Sequence, residues 1–584
     1  MRTKALLRSV IAMLMGGIVV TGCIDDNYDL SDIDTTTELQ VKDLVLPLDI
    51  DEIAMENIVQ IEDTGMVKVI NGEYVVLDSG TYKSDEIIIP SLTIPAPTVA
   101  PIKSHITLVE NNTPSSMKAL PQFPMRFDIG TQMSSFTYKQ SNVTEYIVDM
   151  DMIGAEFDIM IDLVVEGLEN NIKSWTLEDF KMQFPKGLTG ESNIGTYNPE
   201  TGLVEIGSLK VEGSTVRFKM SITEVDLKKA GAVFNHATHS FTFGDEIGIK
   251  SGFVTVGAED VISVANIPSV ADFNIIFTMG EINVNVFGGT VQYSIEGINI
   301  ADIPITGIPD ILSQNMTDIS LVNPQVYICF SNPLGTNFGL YAQTGLTLTA
   351  KRRNQPDQSY SIDNEYFKLA CEGCQGCQFC LSPTDPGTGN YWGKFVNAQH
   401  VPFTSLSNVL SGNGLPNAIG IKLNNPCVPA QKIGHFPLGA NLGRMTGCYT
   451  IYAPLQLKDG SKIIYSSTEK GWWDEEVAKV TIKKLQVNAS ITNDLPVDIE
   501  ITGYPIDVNG NQINDVVIEG LIVKSGSVDE PLEIKITGEI KDLDGITFVA
   551  KAKATPQQES LRPNEHIILK NIKVMISGNY ITEL

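Results

Sequence analysis

Cysteine recurs at every third position in one short stretch of the chain, and this spacing is able to support chemistry. The run and the two cysteines downstream of it comprise Cys371, Cys374, Cys377, Cys380, Cys427 and Cys448. Four thiolates this close together can enclose a tetrahedral zinc ion. Outside the reducing cytosol the same thiols form disulfides instead. We expect disulfides among these six residues and no cofactor, with zinc held by Cys371, Cys374, Cys377 and Cys380 as the alternative.

The cysteine run resembles the Cys-x2-Cys-x2-Cys motif of bacterial ferredoxins, a resemblance that implies an iron–sulfur cluster. Two departures weigh against such a cluster: Cys380 follows after two residues instead of three, and Leu381 stands where the ferredoxin motif has proline. Elsewhere, Cys329 stands alone in an apolar segment and is expected to be a buried free thiol. Six further cysteines allow many pairings, so the sequence predicts no specific disulfide.

Tryptophans near acidic residues are the main sequence indication of ligand binding. Trp472 and Trp473 precede three acidic residues at 474–476, and Trp392 lies in the cysteine-rich segment. An exposed indole can stack on a sugar ring while carboxylates accept hydrogen bonds from the sugar hydroxyls. We therefore take Trp472, Trp473 and Trp392 as candidate ligand-stacking residues. The alternative is that these tryptophans close the ends of β-sandwiches.

No arrangement of residues in the sequence specifies an active site. The chain lacks a Gly-x-Ser-x-Gly elbow, a Walker phosphate loop, a His-Glu-x-x-His motif and a dinucleotide fingerprint. His236 and His239 have the spacing of metal ligands but adjoin a predicted turn, which is the preferred interpretation. We predict no catalytic residue and no cofactor-binding residue. A hydrolase whose acids come from separate strands is kept as an alternative.

The N-terminal residues have the pattern of an export signal. Three basic residues, Arg2, Lys4 and Arg8, precede an apolar run from Val10 to Val20 that is too short to span a bilayer. The following residues, 20–23, read Val-Thr-Gly-Cys and resemble the lipobox of bacterial lipoproteins. This resemblance implies cleavage after residue 22 and a lipid on Cys23. Removal of residues 1–22 would change the net charge from −29 to −32.

An acidic segment follows the predicted lipid anchor. Five aspartates fall within residues 24–34, a composition that cannot bury a core and is typical of a solvated tether, here residues 23–40. The segment resembles the export signal of surface lipoproteins in Bacteroidetes, and residues 29–34 resemble Bacteroides-type lipoproteins of uncharacterised function. The resemblance implies an outer-membrane lipoprotein that faces outward. A lipoprotein facing the periplasm is the alternative.

The remainder of the chain has the period-two pattern of β-strands. Apolar residues alternate from Phe157 to Val165 and from Val497 to Ile501, and Asn71-Gly72 predicts a type I′ hairpin turn. Segments with a helical pattern, 51–59, 224–230 and 404–410, are short. We predict an all-β protein of several β-sandwich-like modules with a few short helices and a cysteine-rich, loop-rich segment.

Proline clusters and changes in composition predict the module boundaries. Residues 321–335, with two Asn-Pro steps around an apolar strand, resemble late-embryogenesis-abundant-like β-sandwich domains. The predicted units are a signal peptide (1–22), the tether (23–40), a small N-terminal β unit with a proline-rich linker (41–130), a sandwich-like module (131–265), a β module with the cysteine-rich segment at 351–448 (266–448) and a C-terminal sandwich-like module (449–584).

The overall composition restricts the class of partner. The chain is 42% hydrophobic and carries a net charge of −29, so it can bury a core but offers no basic footprint for nucleic acid. We therefore expect a lipid-anchored surface protein with a non-catalytic binding or structural role and a glycan or protein partner. A carbohydrate-binding component of a glycan-uptake system is the main alternative.

Overall fold

Alternating apolar residues form long strands that bury one face. The computed structural model describes residues 36–48, 53–59, 61–63, 65–108, 122–264, 267–307, 312, 317–352, 355–369, 377–471, 473, 480–514, 516–518 and 521–583. In the strand Ile147–Glu166, the side chains of Phe157, Ile159, Ile161, Leu163 and Val165 are buried, whereas the intervening ones are exposed or half-buried. The predicted all-β class is confirmed.

The strands of the N-terminal half are β1 (Thr36–Leu48), β2 (Ile53–Ala54), β3 (Val67–Ile70), β4 (Glu73–Ile88), β5 (Leu92–Ile94), β6 (Ile102–Leu108), β7 (Met125–Asp128), β8 (Gln132–Ser135), β9 (Tyr138–Gln140), β10 (Ile147–Glu166), β11 (Ser174–Gln183), β12 (Leu188–Ser192), β13 (Thr196–Asn198), β14 (Leu203–Glu212), β15 (Thr215–Asp226), β16 (Val233–Asn235), β17 (Ser240–Phe243), β18 (Glu246–Val256), β19 (Val270–Met279), β20 (Ile282–Val284) and β21 (Val286–Ser294).

The strands of the C-terminal half are β22 (Ile303–Pro304), β23 (Asp318–Ile319), β24 (Gln325–Ser331), β25 (Ala342–Lys351), β26 (Gln358–Leu369), β27 (Cys377–Ser382), β28 (Gln399–Pro402), β29 (Gly412–Asn413), β30 (Ala418–Pro437), β31 (Asn441–Pro454), β32 (Lys462–Lys470), β33 (Val480–Asn493), β34 (Val497–Ile506), β35 (Val517–Ile518), β36 (Leu521–Val523), β37 (Ser527–Ile540), β38 (Gly545–Ala554) and β39 (His566–Glu583).

Two sheets position the candidate sites. The central sheet has the order β13-β14-β11-β18-β7-β6-β19-β10-β21-β30-β25-β26, with β8, β12, β15 and β22 attached. A six-stranded sheet, called here the cysteine sheet, has the order β28-β27-β24-β31-β4-β3. Two further six-stranded sheets comprise β1-β39-β33-β37-β35 with β2, and β29-β23-β32-β38-β34-β36. The two small sheets are β16-β17-β9 and β20-β5.

Strand pairing joins segments that are distant in the sequence. In chain order, the first strand of the central sheet is β6 and the last is β30. The sheet therefore combines residues from both sides of the predicted boundaries after residues 130 and 265. In the cysteine sheet, β4 of the predicted N-terminal unit pairs with β31, which itself crosses residue 448. Strand β1 pairs with β39 near the C-terminus. The division into modules stays a prediction. The sheets combine strands that belong to different predicted modules.

Local sequence signals explain the tight turns and short helices. Asn71 and Gly72 have φ of 54° and 81° and join β3 to β4 with Ile70 opposite Glu73, so the predicted type I′ hairpin is confirmed. The α-helices with described bounds are α1 (Met55–Ile58), α2 (Pro333–Phe338) and α3 (Leu406–Val409), and two 3-10 helices comprise Ala258–Asp260 and Thr388–Asn390.

One prediction of local structure needs correction. The predicted helix at 224–230 is instead the end of β15 followed by a turn, because its first residues complete the ladder to β10. The second Asn-Pro step begins α2, since the Asn332 side chain accepts a hydrogen bond from the Leu334 backbone at 3.1 Å. In the described part of the chain, no helix is long and apolar enough to cross a bilayer.

Candidate functional site

The cysteine sheet contains a disulfide that the sequence did not predict. Cys329 in β24 lies directly opposite Cys448 in β31, and the two are bonded across 119 residues of sequence. Our expectation that Cys329 is a free thiol is therefore wrong. The apolar strand does bury most of its neighbours, but the antiparallel register also places a second cysteine opposite Cys329. A single strand carries no information on that register.

The described cysteines outside the disulfide do not form a metal site. Cys380 in β27 is fully buried and Cys427 in β30 is half-buried, and both are free thiols. Burial raises the pKa of the Cys380 thiol to about 11. Cys377 begins β27, whereas Cys371 and Cys374 lie outside the described residues. Among described residues, no group of three or more His, Cys, Asp or Glu is arranged to hold a metal.

An aromatic cluster packs around the disulfide. Tyr327 in β24 stacks on Phe395 with ring centroids 5.0 Å apart, and Trp392 stacks on Tyr452 of β31 at 4.7 Å and 16°. The Trp392 backbone N–H donates to the Tyr327 hydroxyl at 3.0 Å. Burial raises the pKa of Tyr327 well above its usual value. Trp392 is half-buried, and Tyr452 covers one face of its indole.

The tryptophan pair predicted to stack on ligands is only partly described. Trp472 lies outside the described residues. Trp473 is 43% exposed, and its backbone N–H donates to Asp544 Oδ1 at 3.0 Å. The structure therefore leaves Trp473 accessible to a ligand. It does not bring Trp473 and Trp392 into contact.

A serine–histidine contact beside the aromatic cluster lacks the features of a nucleophile. His400 Nε2 lies 3.1 Å from Ser382 Oγ, a distance typical of a catalytic pair. Ser382 is fully buried, and its hydroxyl donates to the Thr384 carbonyl at 2.7 Å. A substrate carbonyl has no access to this oxygen, so we assign the contact a structural role.

A cleft of about 650 Å³ opens where the end of β4 lies beside the central sheet. Three neighbouring strands of that sheet supply its other walls: the residues just before β10, the end of β21 with the residues that follow it, and the middle of β30. Its volume is in the range of small-molecule sites. The cleft is lined by Asp85, Glu86, Ile87, Ile88, Pro90, Glu145, Tyr146, Gln292, Tyr293, Ser294, Ile295, Glu296, Cys427, Val428 and Pro429.

Two half-buried tyrosines form the aromatic part of the cleft. The rings of Tyr146 and Tyr293 have centroids 6.4 Å apart and are tilted by 54°. Tyr146 is held in place because its hydroxyl donates to the Pro90 carbonyl at 3.2 Å and its backbone carbonyl accepts from Gln292 N at 2.8 Å. Burial raises the pKa of both tyrosines, and the nearby Glu296 carboxylate further raises that of Tyr293.

The cleft carries acidic side chains that have few cationic partners. Glu86 is paired, with Arg444 Nη2 3.2 Å from Oε1 and Asn441 Nδ2 3.1 Å from Oε2. Asp85, Glu145 and Glu296 are exposed and form no ion pair among the described residues. Gly297 has a φ of 72°, and a Cβ there would overlap the Asp85 carboxylate.

Sequence reasoning missed this cleft because its residues come from distant parts of the chain. Tyr146 precedes β10, Tyr293 lies near the end of β21, and Asp85 lies in β4 of another sheet. Each is unremarkable in its own segment. Two signals were present but not decisive: the acidic residues near the end of β4 and just after β21, and the glycine at 297.

Comparisons with known proteins establish no family for the chain. No family model matches it, and no curated protein matches it. Among solved structures it is similar to a candidate secreted protein of Parabacteroides distasonis, with 16% identity over 50% of this chain and 88% of the other and a TM-score of 0.34. It also matches the structure of broad bean stain virus, with 10% identity over 51% and 90% of the two chains and a TM-score of 0.13.

Proposed function

We propose that the chain is a lipid-anchored, surface-exposed outer-membrane protein whose β-sheet body binds a ligand without transforming it. The cleft lined by Tyr146 and Tyr293 is the observation that carries the binding role. It combines ring surface with carboxylates and an amide side chain, Gln292, in one concave site. Aromatic faces and a few convergent polar groups are the usual lining of ligand sites.

The N-terminal sequence supports the anchoring part of the proposal. Residues 1–23 have the basic flank, short apolar run and terminal cysteine of a lipoprotein signal. The chain from Cys23 to the start of β1 at Thr36 can span at most about 45 Å. A lipid on Cys23 would thus hold the body close to the membrane surface.

Replacement of the anchor cysteine tests this part of the proposal. We expect Cys23→Ala to move the protein from the membrane fraction to the soluble fraction. Cys427→Ala, which alters a cysteine in the β body, is the matched control and should stay in the membrane fraction. Protease added to intact cells should degrade the wild type while a periplasmic marker survives. Protection of the wild type would establish the periplasm-facing alternative, and membrane retention of Cys23→Ala would refute the lipid anchor.

A carbohydrate-binding role in glycan uptake is the second candidate, and the accessible indole of Trp473 favours it. The experiment is retention of the protein on immobilised polysaccharides. Loss of retention in Trp473→Ala would place the glycan at that indole, and loss in Trp392→Ala would place it at the ring stacked on Tyr452. Loss in Tyr293→Ala instead would place the glycan in the cleft. If all three variants are retained, or if the wild type itself is not retained, these glycan sites are excluded.

A hydrolase with acids from separate strands remains a further candidate, because Asp85 and Glu145 come from separate elements and border the same cleft. Paired carboxylates across a scissile glycosidic bond are the usual catalytic arrangement of glycosidases. Incubation with oligosaccharides tests this alternative. Release of shorter products by the wild type but not by Glu145→Gln would support it, whereas intact oligosaccharides would exclude it for those substrates.

A further inference from the structure

We infer that the cleft between β4, β21 and β30 binds a ligand through an ammonium or guanidinium group. This inference rests on the proposed binding function and adds the chemical class of the ligand. The ammonium group can belong to a free polyamine or to the lysine side chains of a peptide. The chemistry of recognition is the same in both cases.

The unequal pairing of the acids in the cleft is the first argument. The protein itself neutralises Glu86 through Arg444, at 3.2 Å, and supports it further through Asn441. The lining contains no lysine or arginine to do the same for Asp85, Glu145 and Glu296. A neutral ligand that covered these three carboxylates would remove their water without replacing their counter-charge. A cationic ligand supplies that charge.

The tyrosine pair is the second and independent argument. A cation is attracted to the face of an aromatic ring by the ring quadrupole, and the attraction grows as the site is desolvated. The tilted rings of Tyr146 and Tyr293 both line the cleft, and the hydrogen bond from Tyr146 to the Pro90 carbonyl fixes one of them. Glu296 and Tyr293 line the same cleft, and the Glu296 carboxylate raises the pKa of the Tyr293 hydroxyl, so ring and carboxylate can act on one bound group.

The concave shape of the cleft distinguishes it from the acidic surface in general. With a net charge of −29, the protein attracts cations over much of its surface, but exposed charges at long range are screened by salt. A cleft of about 650 Å³ with half-buried rings holds a bound group near several partners at once. Binding in the cleft should thus be stronger and more dependent on ring contact than diffuse attraction.

The experiment is isothermal titration of the full chain in non-ionic detergent with spermidine and, separately, with a pentalysine peptide. We expect saturable binding of at least one probe at low salt. The cleft variant Glu145→Gln/Glu296→Gln should bind at least tenfold more weakly. The control variant Glu156→Gln/Glu281→Gln changes two exposed acids outside the cleft lining and the net charge by the same amount. It should bind as the wild type does.

A second pair of variants tests the rings, with folding checked by circular dichroism. Tyr293→Leu removes the ring and should weaken binding at least fivefold, whereas Tyr293→Phe keeps the ring and should bind within twofold of wild type. Binding of spermidine alone would identify a free polyamine, and binding of pentalysine alone would identify a peptide.

Three results would overturn the inference. These are no binding of either probe at millimolar concentration, equal weakening by the cleft and control variants, and equal binding by Tyr293→Leu and wild type. None of these results bears on the lipid anchor, which is tested separately with Cys23→Ala. Binding of a neutral glycan that is lost in Tyr293→Leu but kept in Glu145→Gln/Glu296→Gln would refute the cationic ligand while the binding function stands.

Discussion

The protein uses aromatic residues in two different ways, in the cluster around the disulfide and in the cleft. In the cluster, Tyr327 and Phe395 stack on each other and are buried, and the Tyr327 hydroxyl accepts a hydrogen bond from Trp392. In the cleft, Tyr146 and Tyr293 are tilted and half-buried beside acids without a cationic partner. In the cluster, the rings and the hydroxyl bind one another. In the cleft, ring faces and carboxylates stay available to a ligand. Residue type alone does not separate these roles, but pairing and exposure do.

Truncation of a ring in the cluster should produce the largest effect on stability. Phe395 is 1% exposed and stacks on Tyr327, so Phe395→Ala removes a buried ring and leaves a cavity. We expect a loss of about 3–5 kcal/mol in the free energy of unfolding. Urea unfolding followed by tyrosine and tryptophan fluorescence measures it. Phe395→Leu, which keeps most of the volume, is the control and should cost less than about 1.5 kcal/mol. An equal cost for both variants would contradict the close packing of this cluster.

Removal of the disulfide should have the next largest effect. The bond between Cys329 and Cys448 closes a loop of 119 residues, so it strongly restricts the unfolded chain. We expect Cys329→Ala/Cys448→Ala to lose about 2–5 kcal/mol of stability in urea unfolding. Reduction of the wild type should reproduce this loss. Cys427→Ala in the cleft should cost less than about 1 kcal/mol. A double variant as stable as the wild type would show that the bond does not stabilise the cluster.

The disulfide and the cleft also show where sequence-based prediction succeeds and fails. Alternation along Phe157–Val165 and the Asn71-Gly72 pair predicted a strand and a turn correctly, because the determining contacts are local. The pairing of Cys329 with Cys448 depends on the register of two strands far apart in the sequence. The cleft depends on three strands and on a fourth from another sheet. Such contacts arise from the packing of the whole chain and have no signal in any one segment.

The thiol beside the aromatic cluster and the thiol in the cleft wall should differ in reactivity by about two orders of magnitude. Cys380 beside the aromatic cluster is fully buried, and burial raises its pKa to about 11, so little reactive thiolate exists at pH 8. Cys427 in the cleft wall is half-buried. We expect iodoacetamide to label Cys427 about a hundredfold faster at pH 8, as followed by mass spectrometry of the two peptides.

The rate at which Cys380 is labelled should also depend on pH. Because burial raises the Cys380 pKa to about 11, its small thiolate fraction keeps rising with pH through the whole range from 8 to 10, so its labelling should accelerate over that range while the chain stays folded. In urea both cysteines should react at similar rates. Equal labelling of Cys380 and Cys427 in the folded chain would contradict the burial of the cluster.

The smallest effect on stability should come from the cleft itself. Tyr293 is half-buried, so Tyr293→Ala removes less contact than a core substitution and should cost about 1 kcal/mol or less in urea unfolding. The same variant should lose most of its affinity for spermidine or pentalysine, because ring contact with the bound cation is gone. Phe395→Ala should show the reverse, with a large loss of stability and, in the folded fraction, unchanged affinity. If Tyr293→Ala lost as much stability as Phe395→Ala, the cleft tyrosines would be part of the hydrophobic core. A ring that stabilises the fold in this way is not available to a ligand.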